Sequence, residues 1–589
     1  MPNYKNMNIL LLTVPINDGM VQSAKVSEGQ PLFVRVKSVG TYQYLQIVES
    51  RRSKEGKIQQ KVLATLGRAD QIGQDGTLDA LIESLSRFST QCLALVAGKS
   101  QPQTEARKIG PVLIFERLWR SAGIPEILAK LLEGRKFEFD IERALFLTVL
   151  HRICHGGSDR DADAWREGYR IEGMENLSLH QVYRAMAWVG EESAEDDAQL
   201  GRTPFAPRCV KDQIEEALFS RRRDLFMNAS LVFFDTTSLY FEGAGGQSIG
   251  ARGHNKDHRP DLKQMVLGVV LDGEGQPICC ELWPGNTADV KTLIPVVDRL
   301  RTRFGIAQVC VVADRGMISK ETMAALEERQ WQYILGARMR AVNEVRDEVV
   351  AKLQPAGQDS PRAGFTLVQP ERQHQKDPSP LQVTEVAVGG HRYIVCYNPE
   401  QARKDAHDRE AIVGSLQEQL KQGDKTLVGN KGYRKYLKAG ENHFQIDSER
   451  VQGAAAYDGL WVLRTNTQLA AVEVARQYKL LWRVERIFRD SKTLLRTRPI
   501  FHKWDETIRG HTFCSFLALV LLRELDQHLS DAGVDVEWSD LLRDLEALQV
   551  VRVEHEGKSI RLRSQCQGCC GRVFQAVGVA IPPLVMGVN

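Results

Sequence analysis

The sequence predicts an α/β protein built on a mixed five-stranded sheet, and three observations carry that prediction. Between about 229 and 338, apolar runs of strand length and amphipathic runs follow in the order strand, strand, strand, helix, strand, helix, strand. The first three strands are joined by short connections, one of them the DGEG turn at 272–275, and should be antiparallel; the last two are reached through helices and should be parallel crossovers. Two of the strands end in an aspartate, Asp235 and Asp314, which places both acids at one edge of the sheet.

In chain order, residues 32–68 alternate in strand fashion, with turns at Gly40 and Lys54–Gly56. Residues 75–225 read as helical, as in IERALFLTVLHRICH and HQVYRAMAWVGEE, and SLHQVYRAMAWV has the length of one helix of a helix-turn-helix. From 229 come the strands ASLVFFDTTSLYF, MVLGVVLD and PICCELW, then the helix ADVKTLIPVVDRLRTR, the strand QVCVVAD, a helix over about 319–329 and the strand QYILGAR. Residues 341–470 interrupt this core with a Pro/Gln-rich stretch (354–380), a hairpin QVTEVAV-GG-HRYIVCYN, a charged helix over 400–421 and a strand LWVLRTN. One long helix is predicted over 473–496, followed by the apolar helix TFCSFLALVLLREL. The divisions are an N-terminal β-rich basic segment (1–74), a helical region (75–225) that holds the candidate helix-turn-helix for DNA binding, the sheet core with its two aspartates in two parts (226–340 and 471–530), an insertion domain (341–470) and a C-terminal region (531–589) that is a candidate for dimerisation. Few folds share this strand order, and the best known is the ribonuclease-H-like sheet, here interrupted by a strand-rich insertion.

Composition narrows the function. At 589 residues the chain has room for three or four domains, and 43% hydrophobic residues with a net charge of +3 exclude disorder as a description of the whole. The longest apolar runs, such as FLALVLL at 516–522, fall far short of the ~20 residues of a bilayer helix. The N-terminal MNILLLTV precedes Pro15 without a small-residue cleavage pattern, so no signal peptide is expected. Eleven scattered cysteines, an odd number, suit a reducing cytoplasm. The charge is polarised: residues 35–68 and 476–512 each carry +6, which leaves −9 on the remainder. Basic stripes on an acidic body suit a polyanionic partner, whereas alternating solvated faces are the plain alternative.

A third acid is needed across the edge that holds Asp235 and Asp314, and Glu485 is the candidate, flanked by Arg483, Arg486, Arg489 and Lys492. Clustered carboxylates repel one another, and hard divalent cations resolve that repulsion while bridging a scissile phosphate. Singly, each acid has a plain role: a strand-end turn for Asp235, a helix cap for Asp314, a pair with Arg489 for Glu485. Jointly, in this strand order, they favour a metal site.

The stretches FFDTTSLYFEG, HRPDLKQMVLGVVLDGEGQPI, WPGNTADVKTLIP, VVADRGMIS and YKLLWRVERIFRDSKTLLRTRPIFHKWDETIRGH resemble bacterial insertion-sequence transposases of the DDE type, in the IS-four superfamily. The nearest resemblance is to the subgroup with a long strand-rich insertion before the glutamate. That family's Tyr-x2-Arg-x3-Glu-x6-Lys pattern is met by Tyr478, Glu485 and Lys492, with Leu481 at the arginine position. Steps of seven residues would put those three on one helical face. The resemblance implies that Asp235, Asp314 and Glu485 bind two Mg2+ or Mn2+ ions, and that Tyr478 and Lys492 hold the terminal nucleotides. It further implies double-stranded DNA partners (element ends and target), a homodimer in the synaptic complex, and a cytoplasmic, nucleoid-associated bacterial protein with no membrane partner. The reaction implied is metal-dependent cleavage followed by attack of the freed 3′-hydroxyls on target DNA. The competing functions are a structure-specific nuclease on the same sheet and a non-catalytic DNA-binding protein derived from a transposase. A phosphatase would need an aspartate where Thr237 stands.

Weaker signals complete the survey. Lys256 and Arg259 lie in the basic loop 250–263, and Arg483, Arg486, Arg489 and Arg498 in the second basic stripe; all six are candidates for binding DNA. His151, Cys154 and His155 share a helix face, His254 and His258 sit four apart, and Cys566, Cys569 and Cys570 form half a zinc pattern; ordinary packing or exposure is favoured over metal for each. Trp461 and Trp482 are favoured as core residues over stacking platforms for a base.

Overall fold

The computed structural model describes residues 32–52, 58–72, 77–86, 103–193, 207–223, 231–254, 256–257, 259–306, 309–353, 364–368, 381–422, 434–439, 444–555 and 558–588. The N-terminal apolar run, the Lys54–Gly56 turn, most of the Pro/Gln-rich stretch and His258 lie outside the described residues. The chain divides into two compact units, Met1–Thr104 with Arg552–Arg561 and Val585–Asn589, and Glu105–Val551 with Leu562–Leu584.

In the first unit, β1 (Leu32–Val39), β2 (Tyr42–Arg52) and β3 (Ile58–Arg68) form an antiparallel sheet in that order. Gly40, at φ +61°, supplies the left-handed residue that the tight β1–β2 turn requires. Part of the basic stripe holds this sheet together: Arg35 donates to Gln60 at 2.9 Å, and Arg68 lies 3.8 Å over the Tyr42 ring.

The second unit begins with helices α1 (Gly110–Ser121), α2 (Ile141–Cys154), α3 (Asp159–Trp165), α4 (Leu179–Val189) and α5 (Val210–Arg222). Asp140, Ser158 and Ser178 cap α2, α3 and α4 by accepting from backbone N–H groups three residues on. On α2, burial pushes His151 down to about 4. The large sheet follows. Its first part is β4 (Leu231–Tyr240), β5 (Gln264–Asp272), β6 (Pro277–Pro284), α6 (Leu293–Phe304), β7 (Cys310–Ala313), α7 (Lys320–Glu328) and β8 (Gln332–Gly336). Its second part is β9 (Thr366–Val368), β10 (Leu381–Val388), β11 (His391–Tyr397), α8 (Pro399–Lys421) and β12 (Leu460–Thr465). Helices α9 (Ala471–Lys479), α10 (Trp482–Arg489) and α11 (Asp505–Asp531) complete the part that positions the site.

The strand order is β9-β10-β11-β12-β8-β7-β4-β5-β6. The β4–β7 and β7–β8 pairs are parallel and every other pair is antiparallel. Five strands, β8-β7-β4-β5-β6, have the ribonuclease-H-like arrangement expected from the sequence. The insertion does not stand apart from them. Its strands extend the same sheet to nine, because β12 pairs with β8. Phe234, Trp283, Val296, Leu300, Val311, Leu326 and Trp331 form the core between the first five strands and the helices α6 and α7.

Helix α11 is buried at every residue from Thr507 to Leu521. An ideal Cβ on Gly510 would lie 1.9 Å from the Met186 carbonyl oxygen of α4, so only glycine lets these two backbones cross so closely. Val182, Ala185, Met186, Trp188 and Val189 of α4 are buried, which makes the candidate helix-turn-helix segment mainly a packing element. Among the described residues no helix is long and apolar enough to cross a membrane, and the ten described cysteines are all free.

One polar cluster lies inside this unit. Lys211, Asp212 and Glu215 of α5 meet Glu281 of β6 and Arg299 and Arg303 of α6, three cations against three anions, all buried. Arg303 is 2.6 Å from Glu215 and 3.0 Å from Glu281, and Arg299 is 2.9 Å from Glu281. A balanced buried network adds little net stability, but removing one partner strands the rest. Arg303→Met should therefore destabilise the unit by about 3–5 kcal/mol. A thermal midpoint unchanged from wild type would show that the cluster is not what clamps α5 to the sheet.

Candidate active site

Strands β4 and β7 pair in parallel from Leu231 opposite Cys310 to Phe234 opposite Ala313. Asp235 and Asp314 are the next residue on each, so they stand side by side where the parallel pairing stops; Asp314 follows the end of β7, but Asp235 is not the end of its strand as the sequence suggested, because β4 runs on to Tyr240, held by β5. Both line a cleft of about 1150 Å3 whose wall also includes Tyr478, Trp482 and Glu485. Three carboxylates, one from within β4, one from the end of β7 and one from α10, thus share one cavity. Their oxygens are not all within 4.8 Å of one another.

Asp235 is partly buried and accepts a 2.7 Å hydrogen bond from the Thr236 N–H. Burial, with Asp314 and Asp289 adding repulsion, pushes its carboxyl up to about 7 against the pull of Lys256 and the Thr236 amide. Asp289 was not singled out from the sequence, although it sits inside the matching stretch WPGNTADVKTLIP. It accepts from the Thr236 hydroxyl at 2.8 Å and pairs with Lys256 at 3.3 Å. Lys256 also donates to the Thr236 carbonyl oxygen at 2.7 Å, so this cation is held beside Asp235 instead of reaching outward from its loop.

The Tyr478 hydroxyl donates to Asp314 Oδ1 at 3.2 Å. Burial and the neighbouring Asp314 charge raise the tyrosine pKa well above its ordinary value, which keeps it a donor. Gly336 permits this approach, since a Cβ there would lie 2.5 Å from the Tyr478 oxygen. Glu485 is exposed, and among the described residues it has no side-chain hydrogen bond or ion pair, the pairing with Arg489 included.

The helix predicted over 473–496 is not continuous. It breaks at Leu480–Leu481 between α9 and α10, and widens to a π-helical turn over Asp490–Leu494. Tyr478, Glu485 and Lys492 therefore do not share one face of a straight helix as their spacing implied. Lys492 turns to Asp257, 3.1 Å away, and Arg498 reaches the other oxygen of that carboxylate at 2.5 Å. Burial lowers the Lys492 ammonium pKa even with Asp257 beside it. Arg483 donates to the Gly273 carbonyl oxygen at 2.7 Å, Arg486 pairs with Asp490 and Asp526, and Arg259 pairs with Asp261. Arg489 is exposed and is the one cation of the candidate set that, among the described residues, makes neither an ion pair nor a side-chain hydrogen bond. Trp482 is 48% exposed and lines the cleft together with Trp461, which overturns the expectation that both are core. Cys566, Cys569 and Cys570 form no three-ligand cluster among the described residues.

Residues 34–101 match the N-terminal domain of IS1634 family transposases. Among solved structures, the chain is similar to a Mos1 transposase paired-end complex with the left transposon end, at 17% identity over 34% of this chain and 60% of that chain, with a TM-score of 0.14. It is also similar to a Mos1 mariner paired end complex with Mn, at 14% identity over 43% of this chain and 77% of that chain, with a TM-score of 0.13. The first of these alignments thus spans 60% of the relative's length. No curated protein matches the chain. Residues 227–521, the span that carries Asp235, Asp314 and Glu485 and makes up half of the sequence, match the transposase DDE domain, and the chain belongs to that family.

Proposed function

We propose that this protein is a cut-and-paste DNA transposase that binds the inverted-repeat ends of a mobile element, frees their 3′-hydroxyls and joins them to target DNA. One observation carries the proposal: Asp235 and Asp314 stand side by side where two adjacent strands stop pairing in parallel, and they share a cleft with Glu485. We assign these three acids to holding two divalent cations, Mg2+ or Mn2+. The donor set fits, being all oxygen, and Asp235 is a carboxylate whose ionisation is penalised by burial and neighbouring acids, a cost that a hard cation removes. When bound, such ions polarise the scissile phosphate and lower the pKa of the attacking hydroxyl.

The chain's own residues prepare the site. Tyr478 orients Asp314, and Lys256 with Asp289 fixes Thr236, the strand residue next to Asp235. Lys492 and Arg498 are preassembled around Asp257 and would exchange that carboxylate for a backbone phosphate. Arg489 and the exposed face of Trp482 meet the DNA without prior release of a partner, the first through phosphate and the second by stacking on a terminal base. Two ends must be joined at one target, so two copies act together, in the cytoplasm beside the nucleoid.

Replacing Asp235 or Asp314 by Asn, or Glu485 by Gln, should lower Mg2+-dependent nicking of an end by about 10³-fold or more, the scale of several kcal/mol of lost charge stabilisation. DNA binding should stay near wild type, and binding that falls in parallel with nicking would make these acids structural. The raised Asp235 carboxyl sets a pH dependence. Its folded value of about 7 exceeds the ordinary 3.8, so the metal-free protein loses stability as pH rises through that window. Asp235→Asn should remove that loss, raising metal-free stability at pH 8 by about 1–3 kcal/mol, since each pH unit of perturbation is worth about 1.4 kcal/mol. Mg2+ affinity of the wild type should climb from pH 6 to 8, as calorimetric titration would read; a flat profile would place Asp235 outside the metal site. Finally, Arg489→Ala should reduce the slope of log affinity against log salt by about 0.9, the signature of one lost phosphate contact. An unchanged slope would remove Arg489 from the interface.

A further inference from the structure

Outside the acidic cleft, we propose that His151, His155 and Asp161 form a second metal site, one that takes a transition cation of the Zn2+ class and not Mg2+. The two histidines stand four residues apart at the end of α2, so both imidazoles leave the same side of the helix. Asp161 comes from the first turn of α3, brought back by the Gly156–Gly157 turn. His155 Nε2 and His151 Nε2 lie 3.2 and 3.5 Å from the same oxygen, Asp161 Oδ2, and ligand atoms of all three lie within 4.8 Å of one another. Zinc bonds of roughly 2.0–2.2 Å at tetrahedral angles separate ligand atoms by about 3.3–3.5 Å. The two histidine–aspartate separations are therefore those of a liganded site, and the two imidazoles stand within 4.8 Å of each other.

Ordinary surface chemistry accounts for two of the three groups. His155 and Asp161 are half-exposed and form an unremarkable ion pair when the histidine is charged. It does not account for His151, which is fully buried, with neither ring nitrogen making a hydrogen bond. A buried polar group left in that condition is destabilising, and a cation on Nε2 removes the cost at that atom. The neighbouring group of Asp159, His502 and His511 is a useful contrast. It is also close enough to ligate, but the Arg152 guanidinium already sits among them, 2.8 Å from Asp159 Oδ1 and 2.8 Å from His511 Nδ1. There the cation's place is taken, whereas at His151 it is not.

Two imidazoles and one carboxylate suit Zn2+, Co2+ or Ni2+, and Mg2+ prefers oxygen throughout. The half-exposed side of the site leaves the fourth position to water. A bound ion would tie α2 to α3 across a turn that abuts the helical segment of the active site: a Cβ on Gly156 would lie 2.7 Å from the Leu494 carbonyl oxygen. The clamp would thus brace the chain just beyond Glu485 and Lys492.

The test uses the full-length protein, stripped with a chelator and held in excess Mg2+ so that the oxygen-only cleft is satisfied. Co2+ should then bind and develop visible d–d absorption, and Zn2+ should abolish it. His155→Ala and Asp161→Asn, both at half-exposed positions, should each weaken Zn2+ binding by about tenfold or more, at least the loss seen when groups merely supporting a metal ligand are removed. Their thermal midpoints without metal should match wild type, while the rise on adding Zn2+ should be lost. A wild-type chain that takes up no Zn2+ under these conditions, or variants that bind it as tightly as wild type, would overturn the site. Because cleft variants at Asp235 and Glu485 should keep this binding, its failure and a failure of the transposase assignment are separable.

Discussion

The in-register pairing of β4 with β7 is the constraint on which the site depends. Parallel strands that pair through Phe234 and Ala313 deliver Asp235 and Asp314 to the same edge, and no rotamer change can take them far apart. The sheet gains its core by burying Val232, Phe234, Val311 and Ala313 just behind them, so neither acid can be lifted into water without unpacking the core. Two carboxylates held this way repel each other, and burial adds to the cost of charging Asp235. The surrounding chain reduces that cost but does not remove it. One backbone N–H, one lysine and one tyrosine hydroxyl are spent on two acids, with Asp289 adding a further negative charge nearby. The cleft as a whole is lined by six cations and six acids, so it is the close Asp235–Asp314 pair, and not a net deficit of positive charge, that suits this edge to a divalent cation.

The broken helix solves a geometric problem that the spacing of Tyr478, Glu485 and Lys492 creates. On a straight helix the first and last of these would be about 21 Å apart along one line. That length is too great for all three to address the same phosphate. The turn at Leu480–Leu481 lets α9 end with Tyr478 pressed on Asp314, through the space that Gly336 leaves free. Helix α10 then follows with Glu485 exposed, and within the π-helical turn beyond it Lys492 pairs with Asp257. Strain of this sort is common where a helix serves a site, since wide turns cost hydrogen-bond geometry that straight helices keep.

Much of this was legible in the sequence, for identifiable reasons. The strand order and the relation of Asp235 to Asp314 followed from apolar runs, turn residues and the handedness of crossovers, all of which act locally. The Gly389–Gly390 hairpin was legible because both glycines carry the positive φ that a two-residue turn demands. What escaped depended on long-range pairing. Nothing in LWVLRTN says that it will pair with β8, so the extension of the sheet to nine strands was hidden. The helix break was hidden as well, because Leu480 and Leu481 are good helix formers and tertiary packing overrides them. Asp289 lay in a stretch already noted, but no periodicity ties a 3-10 turn to a strand 53 residues earlier. Trp461 and Trp482 were misjudged because an aromatic ring is burial-prone wherever it falls, and only the cleft explains why Trp482 stays half-exposed.

The insertion is more than a spacer, and its pairing explains how the fold tolerates it. The chain leaves the core at the end of β8 and returns as β12, which lies directly against β8, Leu463 opposite Gly336. With exit and entry pinned as neighbours in one sheet, the entropic cost of the intervening chain grows only with the logarithm of its length. A long insertion can therefore be carried at little expense to the core. It also contributes to the site, because Asp408, Arg409, Tyr457 and Trp461 line the cleft together with Asp235 and Asp314. Since β12 leads within a few residues into α9, the insertion also sets where Tyr478 and Glu485 begin their approach. The pairing of β12 with β8 thus fixes the third acid relative to the first two, which the five-stranded core alone leaves unspecified.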